Sequence, residues 1–229
     1  FADIDPKTKL MDLNDCLKKV SKNTKVIMPV HLYGNLFSTY KLRKKIRKNI
    51  FIIEDSAHAF CGEYNNNPVG KFSDFTVFSF YATKSITCGE GGAIITNHKS
   101  YSDKIRSISN NGMTKPAFKR FVNNKYIPWD VYNYGFKSNL SDINASILVD
   151  QIKEYSKIAK QKKKIFKKFK KELSKIPQIS FPTEKPNKNR DYYLFPIGVN
   201  KKFRDKLIEH LLKKRIFVTV NFNSITRLN

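Results

Sequence analysis

The chain of 229 residues carries 44 Lys and Arg against 19 Asp and Glu, a formal net charge of +25 at pH 7, with 40% hydrophobic residues that include 18 Phe and 11 Tyr. That composition excludes a disordered chain, and no apolar run approaches the length of a membrane-spanning helix. Three widely spaced cysteines, Cys16, Cys61 and Cys88, suggest neither a disulfide framework nor a metal site, so a reducing cytoplasm is the expected compartment.

The start, Phe1-Ala2-Asp3-Ile4-Asp5-Pro6, lacks the basic-then-apolar order of a signal peptide. Leu13 to Ser21 reads as a helix, because Leu13, Cys16, Leu17 and Val20 fall on one face. Lys25 to Val30 reads as a buried strand ending at His31-Leu32-Tyr33-Gly34. A basic helix is expected near Thr39 to Arg47, then a strand from Ile50 to Glu54. Asp74 to Ser79 and Gly92 to Thr96 are two further strands that flank a loop holding Lys84. The alternation predicts an α/β domain with a mainly parallel sheet. Ligands of such sheets gather at the carboxyl ends of the strands. His31, Asp55 and Lys84 all lie just after strand-like runs.

Ser100 to Asn110 reads as a helix, and the aromatic stretch Tyr126 to Asn139 as an irregular loop. A long helix is expected from Leu140-Ser141-Asp142 to about Lys175, with Ser141 as its N-cap. Its second half is mostly lysine, with Ile165, Phe166, Phe169 and Leu173 at helical spacing, which describes an amphipathic helix with a solvated face. The positive charge is therefore read as surface lysine in a Lys-, Asn- and Ile-rich chain. A nucleic-acid interface would call for arginine and base-stacking aromatics on one face. A basic surface of this kind would still attract a small polyanion such as a nucleotide sugar. Pro177, Pro182 and Pro186 mark a boundary. Beyond it, Tyr192 to Val199 reads as a strand, Lys202 to Lys213 as a helix and Arg215 to Asn221 as a strand. The expected organisation is a large α/β domain over residues 1–145, a connecting helix over 146–178, and an incomplete small α+β domain over 179–229.

Two clusters carry the chemistry. Glu54-Asp55-Ser56-Ala57-His58 leaves one strand, and Lys84 stands five residues after Ser79 at the exit of another, ahead of the glycine-dense Gly89-Glu90-Gly91-Gly92. An acid and a lysine so placed are what a pyridoxal phosphate site requires. The lysine amine forms a Schiff base with the cofactor aldehyde. The carboxylate pairs with the pyridinium nitrogen and keeps the ring an electron sink. Each residue also has an ordinary reading: Lys84 as a surface lysine among many, Asp55 as a cap for the following turn, His58 as a core histidine, His31 as a packing residue at a strand end.

In order along the chain, Phe1 to Thr8, Pro29-Val30-His31-Leu32-Tyr33-Gly34, Glu54 to Ala59, Ser79 to Gly92 and Gly135 to Ser146 together resemble the DegT/DnrJ/StrS-type sugar aminotransferases of the fold type I pyridoxal phosphate class. The resemblance implies an aspartate-aminotransferase-like large domain. It implies that Lys84 is the Schiff-base lysine and, once free, the base for the proton shift. Asp55 would hold the pyridine nitrogen, His58 would lie against the ring or its phenolic oxygen, and Ser79 would donate to the phosphate. Lys137 would reach the neighbouring subunit's site and help hold its phosphate, which implies a homodimer with shared sites. The implied reaction moves an amino group, from glutamate or a similar donor, onto a keto group of a nucleotide-linked deoxysugar, for polysaccharide or related glycan synthesis. The motifs look most like enzymes of the UDP-4-amino-4-deoxyarabinose type. Family members that dehydrate carry histidine in place of the lysine, so Lys84 argues for transamination. The family's upstream phosphate-binding helix start and ring-stacking aromatic do not match anything here, so the sequence is expected to be a fragment. The other class of reading is a truncated, non-catalytic relative that dimerises or regulates.

Overall fold

The strand Phe51–Asp55 shows why this sequence makes a layered sheet. Its residues alternate between half-buried and buried, with Ile52 and Glu54 inside. Period-two burial fixes the register, because a slip of one residue would turn Ile52 outward. The computed structural model describes residues 1–113, 121–184 and 190–222.

In chain order the elements are α1 (Leu13–Lys19), β1 (Val26–Ile27), α2 (Thr39–Arg43), β2 (Phe51–Asp55), β3 (Glu63–Tyr64), β4 (Asn67–Pro68), β5 (Phe75–Ser79), β6 (Gly92–Ile95), α3 (Lys99–Ile108), β7 (Phe121–Val122), β8 (Lys125–Tyr126), α4 (Asp142–Leu173) and α5 (Lys201–Lys213). The main sheet has the order β1-β2-β5-β6. β1 and β2 are parallel, as are β2 and β5, while β6 returns antiparallel to β5. An isolated parallel bridge, Val30 to Asp55, carries the β1–β2 pairing up to the edge of the site. β3–β4 and β7–β8 are short hairpins.

The chain divides into two compact units. One holds Phe1–Phe166 and Thr183–Phe195; the other holds Lys167–Pro182 and Pro196–Asn229. Within the first, Leu10, Cys16, Ile27, Phe37, Leu42 and Ile52 form one core cluster. Phe80, Ile86, Cys88 and Leu148 form a second, with Phe60, Phe78 and Tyr155 against it. The second cluster lies on both sides of Lys84 in sequence, so the loop that carries the lysine is pinned by Ile86 and Cys88. Removing a fully buried side chain such as Ile86 would cost about 2–5 kcal/mol. In the second unit, α5 is capped by Asn200, whose side chain accepts from the Lys202 amide at 3.0 Å, and Ser180 pairs with Gly198.

Several expected elements differ. The segments read as strands at Tyr192 to Val199 and Arg215 to Asn221 form no ladder among the described residues, apart from the Ser180–Gly198 bridge, and Arg215 has a left-handed backbone with φ +59°. A strand needs a neighbour for its N–H and C=O groups, and a run of strand-favouring residues does not supply one. α2 stops at Arg43, four residues short of the expected end, where the guanidinium turns to donate to the carbonyls of Ile50 (3.1 Å) and Phe72 (3.3 Å) and pairs with Asp74. The long helix is present as α4, and Ser141 caps it by accepting from the Asn144 amide at 3.2 Å. Of its expected apolar face, Phe166 is buried and packs against Tyr192 and Phe195, whereas Ile165 and Phe169 are exposed.

Candidate active site

The parallel strands deliver three of the predicted residues to one edge of the sheet. Asp55 is the last residue of β2. Its amide donates to Pro29 O at 2.9 Å, and its carbonyl accepts from the His31 amide at 3.0 Å, so the strand end is held by backbone on the β1 side. Asp55 Oδ1 accepts from the Ala57 amide at 3.0 Å. This is the capping geometry that the ordinary reading expected, and it engages one of the two carboxylate oxygens.

Glu54, one residue earlier, points into the protein and is 3% exposed. Its Oε2 accepts from the Gly70 amide, from Ser73 Oγ and from Thr76 Oγ1, while His31 Nε2 stands 3.7 Å from Oε1. Burial alone would raise the carboxyl, yet His31 first, then Thr39 and the Gly70 amide, hold it down to about 2. Glu54 thus ties β2 to β5 and the turn before it. His31 is buried, and its Nδ1 accepts from the Phe37 amide at 3.0 Å. It packs at the strand end and braces the position of Asp55 without reaching the site edge.

His58 and Lys84 lie on that edge and sense each other. Burial holds the His58 imidazole down to about 4; the positive charge of Lys84 pushes the same way and the Asp55 carboxylate opposes both. The Tyr33 amide donates to His58 Nδ1 at 3.4 Å, so the neutral ring carries its proton on Nε2. Lys84 is half-buried, with its Nζ 5.0 Å from the centroid of the Tyr193 ring. That ring in turn lies 4.6 Å from His58, tilted by 40°, and its hydroxyl is 3.3 Å from Thr83 Oγ1. Ser79 ends β5, half-buried, with its Oγ accepting from the Tyr81 amide at 3.4 Å. The turn after Lys84 requires a glycine at Gly89, where φ is +83°.

Asp55, His58 and Lys84 are therefore drawn to one place, and Ser79 ends the strand before Lys84. Lys137 is not: it is exposed, on a segment that pairs back to Asn110. Tyr193 belongs to the cluster and was read from sequence only as the start of a strand. Its signal is tertiary, because its partners Thr83, Lys84 and His58 stand more than a hundred residues earlier.

The donor set fits pyridoxal phosphate. A carboxylate at one strand end could meet a ring nitrogen, a half-buried amine in the loop after the next strand could meet an aldehyde, and a neutral imidazole and a phenol stand beside the amine. Among the described residues no cluster of His, Cys, Asp or Glu suits a metal ion, and no helix is long and apolar enough to cross a membrane.

The pattern of the DegT/DnrJ/EryC1/StrS aminotransferase family matches residues 1–229. The Methanocaldococcus jannaschii protein MJ1066 is 33% identical over 227 residues, covering 97% of this chain and 59% of the relative. GDP-perosamine synthase of Escherichia coli O157:H7 is 31% identical over 219 residues, covering 94% and 57%. Among solved structures, Helicobacter pylori PseC, an aminotransferase involved in the biosynthesis of pseudoaminic acid, superposes with a TM-score of 0.89 at 26% identity, over 100% of this chain and 60% of that one. The PLP-form of Spr1654 from Streptococcus pneumoniae gives a TM-score of 0.84 at 25% identity, over 100% and 62%. The chain thus spans about 60% of the length of the relatives it matches.

Proposed function

This chain belongs to the DegT/DnrJ/EryC1/StrS aminotransferase family, and on that premise we propose that it carries the lysine-bearing part of a pyridoxal phosphate-dependent sugar aminotransferase. The substrate proposed is a nucleotide-linked deoxysugar with a keto group, and the donor an amino acid, glutamate in the first instance. The single observation that carries this reading is the meeting of Lys84, Asp55 and His58 at the carboxyl edge of the parallel strands, close enough for both charges to act on one imidazole.

When bound, pyridoxal phosphate supplies a protonated ring that accepts electron density from the carbon being deprotonated. The rest of the chemistry falls to the chain. The Lys84 amine is proposed to attach the cofactor and, when free, to carry the proton between carbon atoms. Asp55 is proposed to hold a positive charge on the ring nitrogen by its own negative one. His58, neutral and flanked by Tyr193, is proposed to form the wall behind the ring, where an uncharged imidazole does not compete with Lys84 for the carboxylate. Ser79 is proposed to donate its hydroxyl to the phosphate.

The partner proposed is a second copy of this chain. The stretch before Lys137 exposes Tyr126 (58%), Tyr132 (74%), Tyr134 (103%) and Phe136 (73%), aromatic side chains that a second copy could cover. Burial of that stretch against a partner would bring the partner's Lys137 toward the phosphate, where a flexible ammonium serves as a point charge.

Borohydride reduction of the full-length gene product with pyridoxal phosphate, followed by peptide mapping, tests the core of the reading. The label is expected on Lys84. A label on another lysine would refute the assignment.

A further inference from the structure

A second polar cluster lies behind the reacting edge. Asp191 is 2% exposed. Its Oδ1 accepts from Ser85 Oγ at 2.6 Å and its Oδ2 from the Phe60 amide at 3.1 Å. Lys162 Nζ, on α4, reaches the same Ser85 hydroxyl at 3.3 Å. Ser85 adjoins Lys84, and Asp191 stands two residues before Tyr193. The segment therefore grips the lysine loop at two points: the carboxylate on Ser85, and the phenol ring on Lys84 and Thr83.

The backbone around Asp191 is equally committed. Gly34 has φ +76°, and a Cβ placed there would stand 1.7 Å from Asp191 O, so the turn that donates to His58 packs directly on this segment. Arg190 donates to Tyr33 O at 3.2 Å. A buried carboxyl is costly where only packing is needed. Burial does push Asp191 up to about 6, against the Ser85 hydrogen bond, Lys162, the Phe60 amide and Arg190; the Cys61 thiol and the Tyr155 phenol face it as well.

We propose that Asp191, held by Ser85 and backed by Lys162, is a positioning residue for the reacting lysine: it clasps residues 190–193 to the Lys84 loop and thereby fixes where Tyr193 meets the Lys84 amine. This rests on the reading of Lys84 as the lysine that attaches the cofactor. Without the clasp, Lys84 keeps its chemistry and loses its place.

The test uses the full-length gene product with Asp191→Ala, Asp191→Asn and Ser85→Ala. Two quantities are measured: the rate at which pyridoxal phosphate becomes borohydride-trappable on Lys84, and, in cofactor-free protein, the NMR position of the His58 ring proton beside Tyr193. Asp191→Ala is expected to slow trapping on the order of tenfold, the factor that one charge-assisted hydrogen bond carries. It is also expected to move the His58 resonance as the Tyr193 ring leaves it. Asp191→Asn should recover most of both, because an amide can accept from Phe60 and donate to Ser85. Ser85→Ala should fall between, and it decides the matter if Asp191→Ala does not fold. A folded Asp191→Ala or Ser85→Ala protein with wild-type trapping and an unmoved His58 resonance would overturn the clasp. A wild-type label on another lysine would instead overturn the functional reading, and the His58 resonance would still decide whether the clasp holds Tyr193.

Discussion

The neutrality of His58 is the most direct consequence of the site's electrostatics. Its imidazole is held at about 4 against an ordinary 6.5, by burial first and by Lys84 second, with Asp55 pulling the other way. Between those two pH values the unfolded chain binds the proton and the folded chain refuses it, so linkage makes stability rise with pH across that window. The contribution is absent above pH 6.5, where both states are neutral, and the full penalty is present below pH 4. The gap corresponds to about 3 kcal/mol if fully realised, and to about 2 kcal/mol for a ring that water partly reaches. The assay is an NMR titration of the histidine ring protons of cofactor-free protein, with His58 assigned by its loss in His58→Gln. Lys84→Met removes a positive neighbour and is expected to raise the His58 midpoint by about half to one pH unit. Asp55→Asn removes a negative one and is expected to lower it. An ordinary midpoint near 6.5 in the parent protein, or a midpoint indifferent to Lys84→Met, would refute the reasoning that these groups share one site.

Lys84→Ala should lose turnover almost entirely, since attachment and proton transfer fail together; steady-state assays of sugar amination measure this. Asp55→Asn keeps the shape and the cap to Ala57 but not the charge, so a fall in rate of at least about a hundredfold is expected with cofactor still bound, and a near-parental rate would leave Asp55 as a cap alone. Mixed dimers of a Lys84→Ala chain with a Lys137→Ala chain should regain part of the activity that each lacks, and proven heterodimers without recovery would argue against a shared site. Gly34→Ala is expected to lower the urea midpoint sharply: the left-handed backbone alone costs about 1–2 kcal/mol, and the overlap with Asp191 O adds to it.

The parts of the fold legible in the sequence are those set by local pattern. Phe51-Ile52-Ile53 and Phe75-Thr76-Val77-Phe78 are strand-like runs, and the 3.6-residue spacing of α4 and α5 survives a surface of lysine. Asp55, His58, Ser79 and Lys84 could be named because each follows a strand-like run or stands in a family motif. Tyr193 and Asp191 could not. Nothing within ten residues of Asp191 separates a buried carboxylate from the charged surface around it, for what buries it is Ser85 and the Phe60 amide, both far off in sequence. The strands read after Pro186 failed for a related reason: their residues favour strands, but a ladder is a property of two segments.

The separation of 106 residues between Ser85 and Asp191 also sets an order of events during synthesis. Lys84 and Asp55 emerge early, and the strands that bear them can pair at once. At about 5–20 residues per second, the segment that grips the lysine loop follows roughly 5–20 s later. Until then Ser85 lacks the carboxylate of Asp191 and Lys84 lacks the ring of Tyr193. On the roles proposed above, the nascent chain presents the Lys84 amine before it has made residues 190–193, the segment that holds the lysine loop.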